Sequence, residues 1–299
     1  MTPGGGTPAG GAGAPRRAAV VTDSTSYLPP GLAERDGVTV VPLQVVVDGR
    51  AGEEGREVRA EQVARALRAR SGSATTSRPA PVALEEAYRE AARAAGVDRV
   101  VAVHLSSRLS GTVAAARLAA QALAAEGVEV RVVDSRLVAM GLGFSVLAAA
   151  RVVAEGGDAE AAAAAAERRA ARTEVLLYVD TLEHLRRGGR MGRAASLLGT
   201  ALAVKPLLHV VDGETALLEK VRTVSRALAR LEEQAVAATR GGPVELAVHH
   251  LAAGERALAL ATRLRRRVPD LRALHVSEVG AVVGAHTGPG MLGVVISRV

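Results

Sequence analysis

Short β-branched runs alternate with helical segments along nearly the whole chain, and this rhythm restricts the fold more than any other feature. Residues 18–22, 100–105 and 128–133 read as strands. Residues 60–70, 82–95 and 113–125 have helical composition and spacing. In the last of these, Val113, Ala116, Ala120 and Leu123 share one face and Arg117 and Gln121 fall on another. Two further helical stretches, 138–154 and 158–172, follow the third strand. Strand and helix in this order argue for a parallel sheet with helical crossovers. Residues 38–47 form a β-branched run that Pro42 interrupts and the Asp48-Gly49 turn signal ends.

The second half reads differently. Strand 175–179 is followed by a short helix at 181–187, the Gly188-Gly189-Arg190 turn and a helix at 194–203. Asp212-Gly213 joins strands 207–211 and 215–221 as a hairpin, so antiparallel pairing enters here. Helices 225–239 and 254–268 alternate with strands 244–248 and 271–276. The expected fold class is therefore two-domain α/β: a Rossmann-like parallel-sheet domain over 18–156 and a mixed-sheet domain over 157–299, divided near Glu155-Gly156-Gly157. Residues 1–17, rich in Gly, Ala and Pro, are expected to be a disordered tail. Near the end lies Gly284-Ala285-His286-Thr287-Gly288-Pro289-Gly290, between the apolar runs 279–283 and 291–296. That density of glycine and proline predicts a tight turn between two buried strands. The turn is either a surface hairpin tip or a device that holds His286 against other parts of the fold.

Hydrophobic residues make up 48% of the chain and aromatics only 1%, so the core must be aliphatic. The net charge is +7, carried by arginine with Lys205 and Lys220 the only lysines, a pattern that fits a high-GC coding bias. No basic–aromatic interleaving offers a stacking platform, which argues against nucleic acid as a partner. The absence of cysteine excludes disulfides, zinc–thiolate sites and thiol nucleophiles. No apolar run reaches membrane-spanning length, and the N-terminal tail lacks the form of a signal peptide, so a cytoplasmic location is expected.

Three strand-like runs end in hydroxyl clusters: Asp23-Ser24-Thr25-Ser26, the stretch from Ser106 to Thr112, and Asp134-Ser135. A loop with Thr75, Thr76 and Ser77 adds a fourth. In an open parallel sheet the carboxyl ends of the strands share one edge, so these groups are expected to line one crevice. Ser110 reads as the N-cap of the following helix, where free amides and the helix dipole favour an anion. Neither glycine-rich nucleotide pattern follows a strand, and the seven histidines are scattered rather than clustered for a metal. A Ser110–His286 hydrolase with Asp134 or Asp23 remains open, without a G-x-S-x-G elbow to support it.

D-S-T-S at Asp23, T-S-R-P at Thr76, S-S-R-L-S-G-T at Ser106, G-G-R at Gly188, K-V-R at Lys220 and H-T-G-P-G at His286 occur in this order over residues 18–299. As a set they resemble the DegV family. The resemblance implies two α/β domains that hold a long-chain fatty acid in a tunnel and present it to a separate ATP-dependent kinase subunit, which phosphorylates the carboxylate. No cofactor and no metal are expected in this chain. Thr76 and Ser110 would bind the carboxylate, with Ser77, Ser107, Gly111, Thr112, His286 and Thr287 completing the ligand-binding set. Arg190, Arg222 and His286 would be the positive groups that support phosphoryl transfer. The chain departs from the family pattern at Ala80, often serine, and Ala285, often threonine. The alternative is a self-sufficient serine hydrolase or acyltransferase built on Ser110 and His286.

Overall fold

The computed structural model describes residues 17–69, 71–197 and 204–299. The expected N-terminal tail lies outside the described residues except for Arg17.

In chain order the first half contains β1 (Ala19–Asp23), α1 (Leu32–Asp36), β2 (Val38–Val41), β3 (Gln44–Val47), β4 (Arg50–Glu53), α2 (Ala60–Arg68), β5 (Ala74–Ser77), α3 (Pro81–Ala95), β6 (Arg99–His104), α4 (Thr112–Ala124), β7 (Glu129–Asp134), α5 (Met140–Ala154) and α6 (Ala159–Ala171). A four-stranded, wholly parallel sheet runs β2-β1-β6-β7. Its central strands β1 and β6 read as nearly continuous apolar runs because both of their faces are covered. Val20, Val101 and Val103 pack beneath α5 and α6, while Val21, Val100 and Ala102 pack on α3 and α4.

Pro42 divides the expected run 38–47 between two sheets. Val38–Val41 joins the parallel sheet, whereas Gln44–Val47 is the centre of a separate antiparallel sheet, β4-β3-β5. The Thr75–Ser77 segment, expected as a loop, is therefore the edge strand β5. Its hydroxyl residues alternate in exposure as a strand requires.

The second half contains β8 (Thr173–Tyr178), α7 (Glu183–Arg187), β9 (Lys205–Val211), β10 (Glu214–Val221), α8 (Val224–Ala238), β11 (Val244–His250), α9 (Gly254–Arg267), β12 (Leu271–Glu278), α10 (Ala281–Thr287) and β13 (Leu292–Arg298). The strands form one mixed sheet, β10-β9-β8-β13-β11-β12, in which only β11 and β12 pair in parallel. Of the helix expected over 194–203, the described part, Gly192–Leu197, is a 3-10 helix. Helices α8 and α9 cover the outer face of this sheet with Leu231, Ala235, Leu260 and Leu264.

The inner face turns toward α5. Leu142, Val146 and Val153 of α5 pack with the parallel sheet, while Met140 and Phe144 meet Val175, Ala247 and Val295 of the mixed sheet. With ten of its fifteen residues buried, α5 serves both sheets at once and keeps only a narrow exposed side near Arg151 and Ala154. Helix α6, although it follows Gly157, packs Ala159, Ala162, Ala163 and Ala166 on the core of the first sheet.

One local expectation fails. Residues 279–283 are not a strand: the chain forms α10, which carries His286 in its last turn. An apolar run of five residues does not distinguish strand from helix. The decision comes from residues distant in sequence. Val282 N–H donates to the Glu54 carboxylate at 2.7 Å and Val283 N–H to the Tyr27 hydroxyl at 3.1 Å, satisfying two free amides at the helix start. Gly280 is required there, since a Cβ would collide with Glu54 Oε1.

Candidate functional site

A cavity of about 300 Å³ lies where the inner face of the mixed sheet meets the loops of the parallel sheet. Its sheet wall is Val175 and Leu177 of β8, Val210 of β9, and Gly293 and Val295 of β13. Opposite stand Leu105, Leu109 and Val138 from the loops of the first half, with Val282 and Val283 of α10. Among the described residues no Phe or Tyr lines it, so the walls are smooth and aliphatic. His249, also in the wall, is fully engaged: Nε2 accepts from Met140 N–H at 3.2 Å and Nδ1 meets Ser277 Oγ at 3.1 Å. Burial pushes it down to about 4, so it is a neutral part of the wall.

The polar lining comes from Thr76 and Ser77 of β5 and Arg78 just after it, Ser110 before α4, Arg190 after α7, Thr215 of β10, and His286 and Thr287 in α10, beside His249. Thr76 Oγ1 and His286 Nε2 are 2.8 Å apart. His286 Nδ1 is buried with no protein partner and rests against Gly188, where a Cβ would collide with it. Burial, and then the charge of Arg190, pushes His286 down to about 4, so at neutral pH it is uncharged. A buried, unpartnered N–H is costlier than an unpartnered lone pair, which favours the proton on Nε2. His286 then donates to Thr76, and the Thr76 hydroxyl proton is free to turn into the cavity. Thr287 Oγ1, by contrast, donates to Val283 O at 3.0 Å within its own helix.

Ser110 is one residue short of its expected cap position. Gly111 is the N-cap of α4 and makes no side-chain cap, while Ser110 Oγ accepts from Thr112 N–H at 3.3 Å and lies 2.8 Å from Thr112 Oγ1. Thr112 is buried and supports Ser110 rather than lining the cavity. Arg190 spans the two halves: Nε donates to Leu109 O at 3.0 Å and Nη1 to Gly188 O at 2.5 Å. A second cavity of about 210 Å³ shares Thr76, Arg190 and His286 as wall and is also lined by His184 and Arg187. Among the described residues, no Asp or Glu lines either cavity.

Two buried carboxylates hold this constellation. Asp23 Oδ2 accepts from Leu105 N–H at 3.0 Å and from His104 Nδ1 at 2.9 Å, and His104 Nε2 in turn meets Tyr88 OH at 2.7 Å. Asp23 Oδ1 accepts from Thr25 N–H and Thr25 Oγ1. The start of the Leu105–Ser110 loop is thereby fixed to the first sheet. Its next residue, Ser106, donates to Gly213 O at 2.7 Å across to the β9–β10 hairpin. Glu54 accepts from Ser24 Oγ and Tyr27 OH as well as from α10, so the helix bearing His286 is fixed to the same strand end.

Several expected site residues are not brought to the cavity. The Asp23–Ser26 cluster was expected to line the crevice, but its Asp23, Thr25 and Ser26 are buried and none of the four residues lines the cavity; the Ser24 and Thr25 hydroxyls are consumed by Glu54 and Asp23. Asp134 instead accepts from Ser107 N–H at 3.2 Å and Arg136 N–H at 2.9 Å, leaving Ser107 exposed on the outside of the loop. Arg222 is exposed beyond β10, where the chain turns into the Thr223 N-cap of α8, and it does not line the cavity. Ser110 and His286 are not hydrogen-bonded to each other: each has a threonine partner instead. Sequence reasoning missed Glu54 and Tyr27, which carry no local signal, and gave no role to Arg78, although it sits inside T-S-R-P.

A sequence profile of the DegV family, described as an uncharacterised protein family, matches residues 17–299. The chain belongs to the DegV family. It is 56% identical to a DegV domain-containing protein of Streptomyces coelicolor over 282 residues, covering 94% of this chain and 99% of that one. Among solved structures it resembles a DegV family protein of Thermus thermophilus described by its fatty acid binding, with TM-score 0.88 and 34% identity over 95% of this chain and all of that one. It also resembles DegV of Bacillus subtilis, described as a fatty acid binding protein, with TM-score 0.85 and 31% identity over 95% of this chain and 100% of that one. The two-domain α/β fold of the DegV family is thus the fold of this chain. No helix among the described residues is long and apolar enough to cross a membrane.

Proposed function

We propose that this DegV protein binds a long-chain fatty acid, with its tail in the aliphatic cavity and its carboxylate at Thr76 and Ser110. The observation that carries the reading is the cavity itself: a largely aliphatic slot, lined by no Phe or Tyr among the described residues, with hydroxyls, a neutral histidine and arginines in its lining. Two relatives of the same fold described as binding fatty acids support it. Burying the tail contributes about 0.8 kcal/mol per methylene, which yields tight binding only if the carboxylate keeps hydrogen-bond partners in the dry site. His286 acts here through Thr76, as a neutral donor that orients the hydroxyl, rather than as a cation on the ligand. Organic extraction and mass spectrometry of the purified protein should recover a fatty acid, and adding palmitate to delipidated protein should raise its melting temperature. Recovery of no acid together with no thermal shift would end this reading.

The finer part of the proposal is that the bound acid is presented to a separate ATP-dependent kinase subunit, so that this chain is a binding subunit rather than a complete enzyme. The smaller cavity supports it, because it sets Arg190, which donates to backbone carbonyls, beside the head-group residues, while Arg187 in the same wall is paired with Glu183 at 2.7 Å. Fixed positive charge at that place would stabilise a developing acyl phosphate. Incubation of the loaded protein with ATP and the cognate kinase subunit should give a product that hydroxylamine traps as a hydroxamate. The protein alone with ATP should give none. The hydrolase reading lacks the nucleophile–base hydrogen bond it needs.

A further inference from the structure

We propose that Arg78 is the residue by which this site distinguishes an anionic head group from a neutral one, a role that rests on the fatty-acid reading above. A carboxylate met only by Thr76, Ser110 and the neutral His286 would be held by uncharged donors in a poorly solvated place, which favours its protonated form. Arg190 brings a charge, but its Nε and Nη1 donate to Leu109 O and Gly188 O and so fix the guanidinium to the protein. Arg78 lines the same cavity from the end of T-S-R-P.

Its stem crosses onto the loop that carries Ser110. A Cβ built on Gly111 would stand 2.9 Å from Arg78 Cδ and 3.4 Å from Nη1. The glycine is therefore the floor on which the arginine stem lies, with the guanidinium beside the Ser110 turn. The backbone at Gly111, φ −75° and ψ 8°, is open to any residue, so its lack of a side chain serves this close approach and not a turn. An arginine so placed supplies charge-assisted hydrogen bonds to a carboxylate arriving between Thr76 and Ser110. It is exposed at the mouth and steers anions as well as holding them.

The test compares palmitate with hexadecan-1-ol, which shares the tail and lacks the charge, on delipidated wild type, Arg78→Met and Arg78→Lys. Wild type should prefer palmitate, and raising the salt concentration should reduce that preference. Arg78→Met should weaken palmitate about tenfold or more and leave the alcohol within about twofold, so that discrimination collapses. Arg78→Lys should restore much of the preference. Gly111→Ala, which pushes the stem aside without removing the charge, should produce a smaller loss in the same direction. Equal loss of both ligands in Arg78→Met, or unchanged discrimination, would overturn the proposal. If wild type binds neither palmitate nor the alcohol, it is the fatty-acid reading itself that fails.

Discussion

The ends of β1 and β6 are neighbours on the same sheet edge, both rich in hydroxyls, and they have opposite fates. At the end of β1, Asp23, Ser24 and Thr25 spend their hydrogen-bonding capacity on Leu105, His104, Glu54 and one another. After β6, Ser110 faces the cavity. The difference is the buried carboxylate. Where Asp23 sits among the hydroxyls, they satisfy it and become structure. Where no carboxylate competes, a hydroxyl is left for a ligand. A hydroxyl-rich strand end is thus a site only by what it lacks.

That contrast breaks most visibly at Asp23. Removing one member of a fully buried pair leaves His104 and Leu105 N–H without their acceptor, so Asp23→Ala should cost about 3–5 kcal/mol in urea unfolding. Next is Glu54→Ala, which leaves Ser24, Tyr27 and the first turn of α10 unsatisfied and should cost about 1–3 kcal/mol. Amide exchange at Val282 and Val283 should accelerate in that variant well beyond the change elsewhere, because the loss is local to α10.

A smaller effect appears in pH. His249 and His286 are pushed from 6.5 down to about 4 by burial. The unfolded chain therefore takes up their protons first, and stability should be full above about pH 6.5 and fall as the pH drops toward 4. Glu54, raised by burial, acts in the opposite sense, its contribution fading as pH rises above its unfolded value. Urea midpoints across pH 7 to 4.5 for wild type and His286→Asn separate the two, since the variant should show the shallower acid loss.

Much of the scaffold was legible because its signals are local. The central parallel strands β1 and β6 declared themselves as runs buried on both faces, and Asp212-Gly213 declared the β9–β10 hairpin, with both turn residues at positive φ. Helix α10 was illegible because the groups that start it, Tyr27 and Glu54, come from the other end of the chain. The strand character of β5 depends on β3, which Pro42 had hidden inside a longer run. At the site, resemblance of motifs pointed to Thr76 and His286, and the fold sets them 2.8 Å apart. It also pointed to Arg222 and Ser107, which local chain direction turns outward. A motif records that a residue type recurs, not which way the side chain leaves the backbone.

The most direct test sets the two strand ends side by side: palmitate affinity and urea unfolding for Ser110→Ala and Thr25→Val. Ser110→Ala should weaken palmitate by about tenfold while changing stability by less than about 1 kcal/mol. Thr25→Val should lower stability by about 1–2 kcal/mol and leave the affinity of the folded protein unchanged. If Thr25→Val weakened palmitate while Ser110→Ala did not, the division between a structural and a ligand-facing hydroxyl cluster would be wrong.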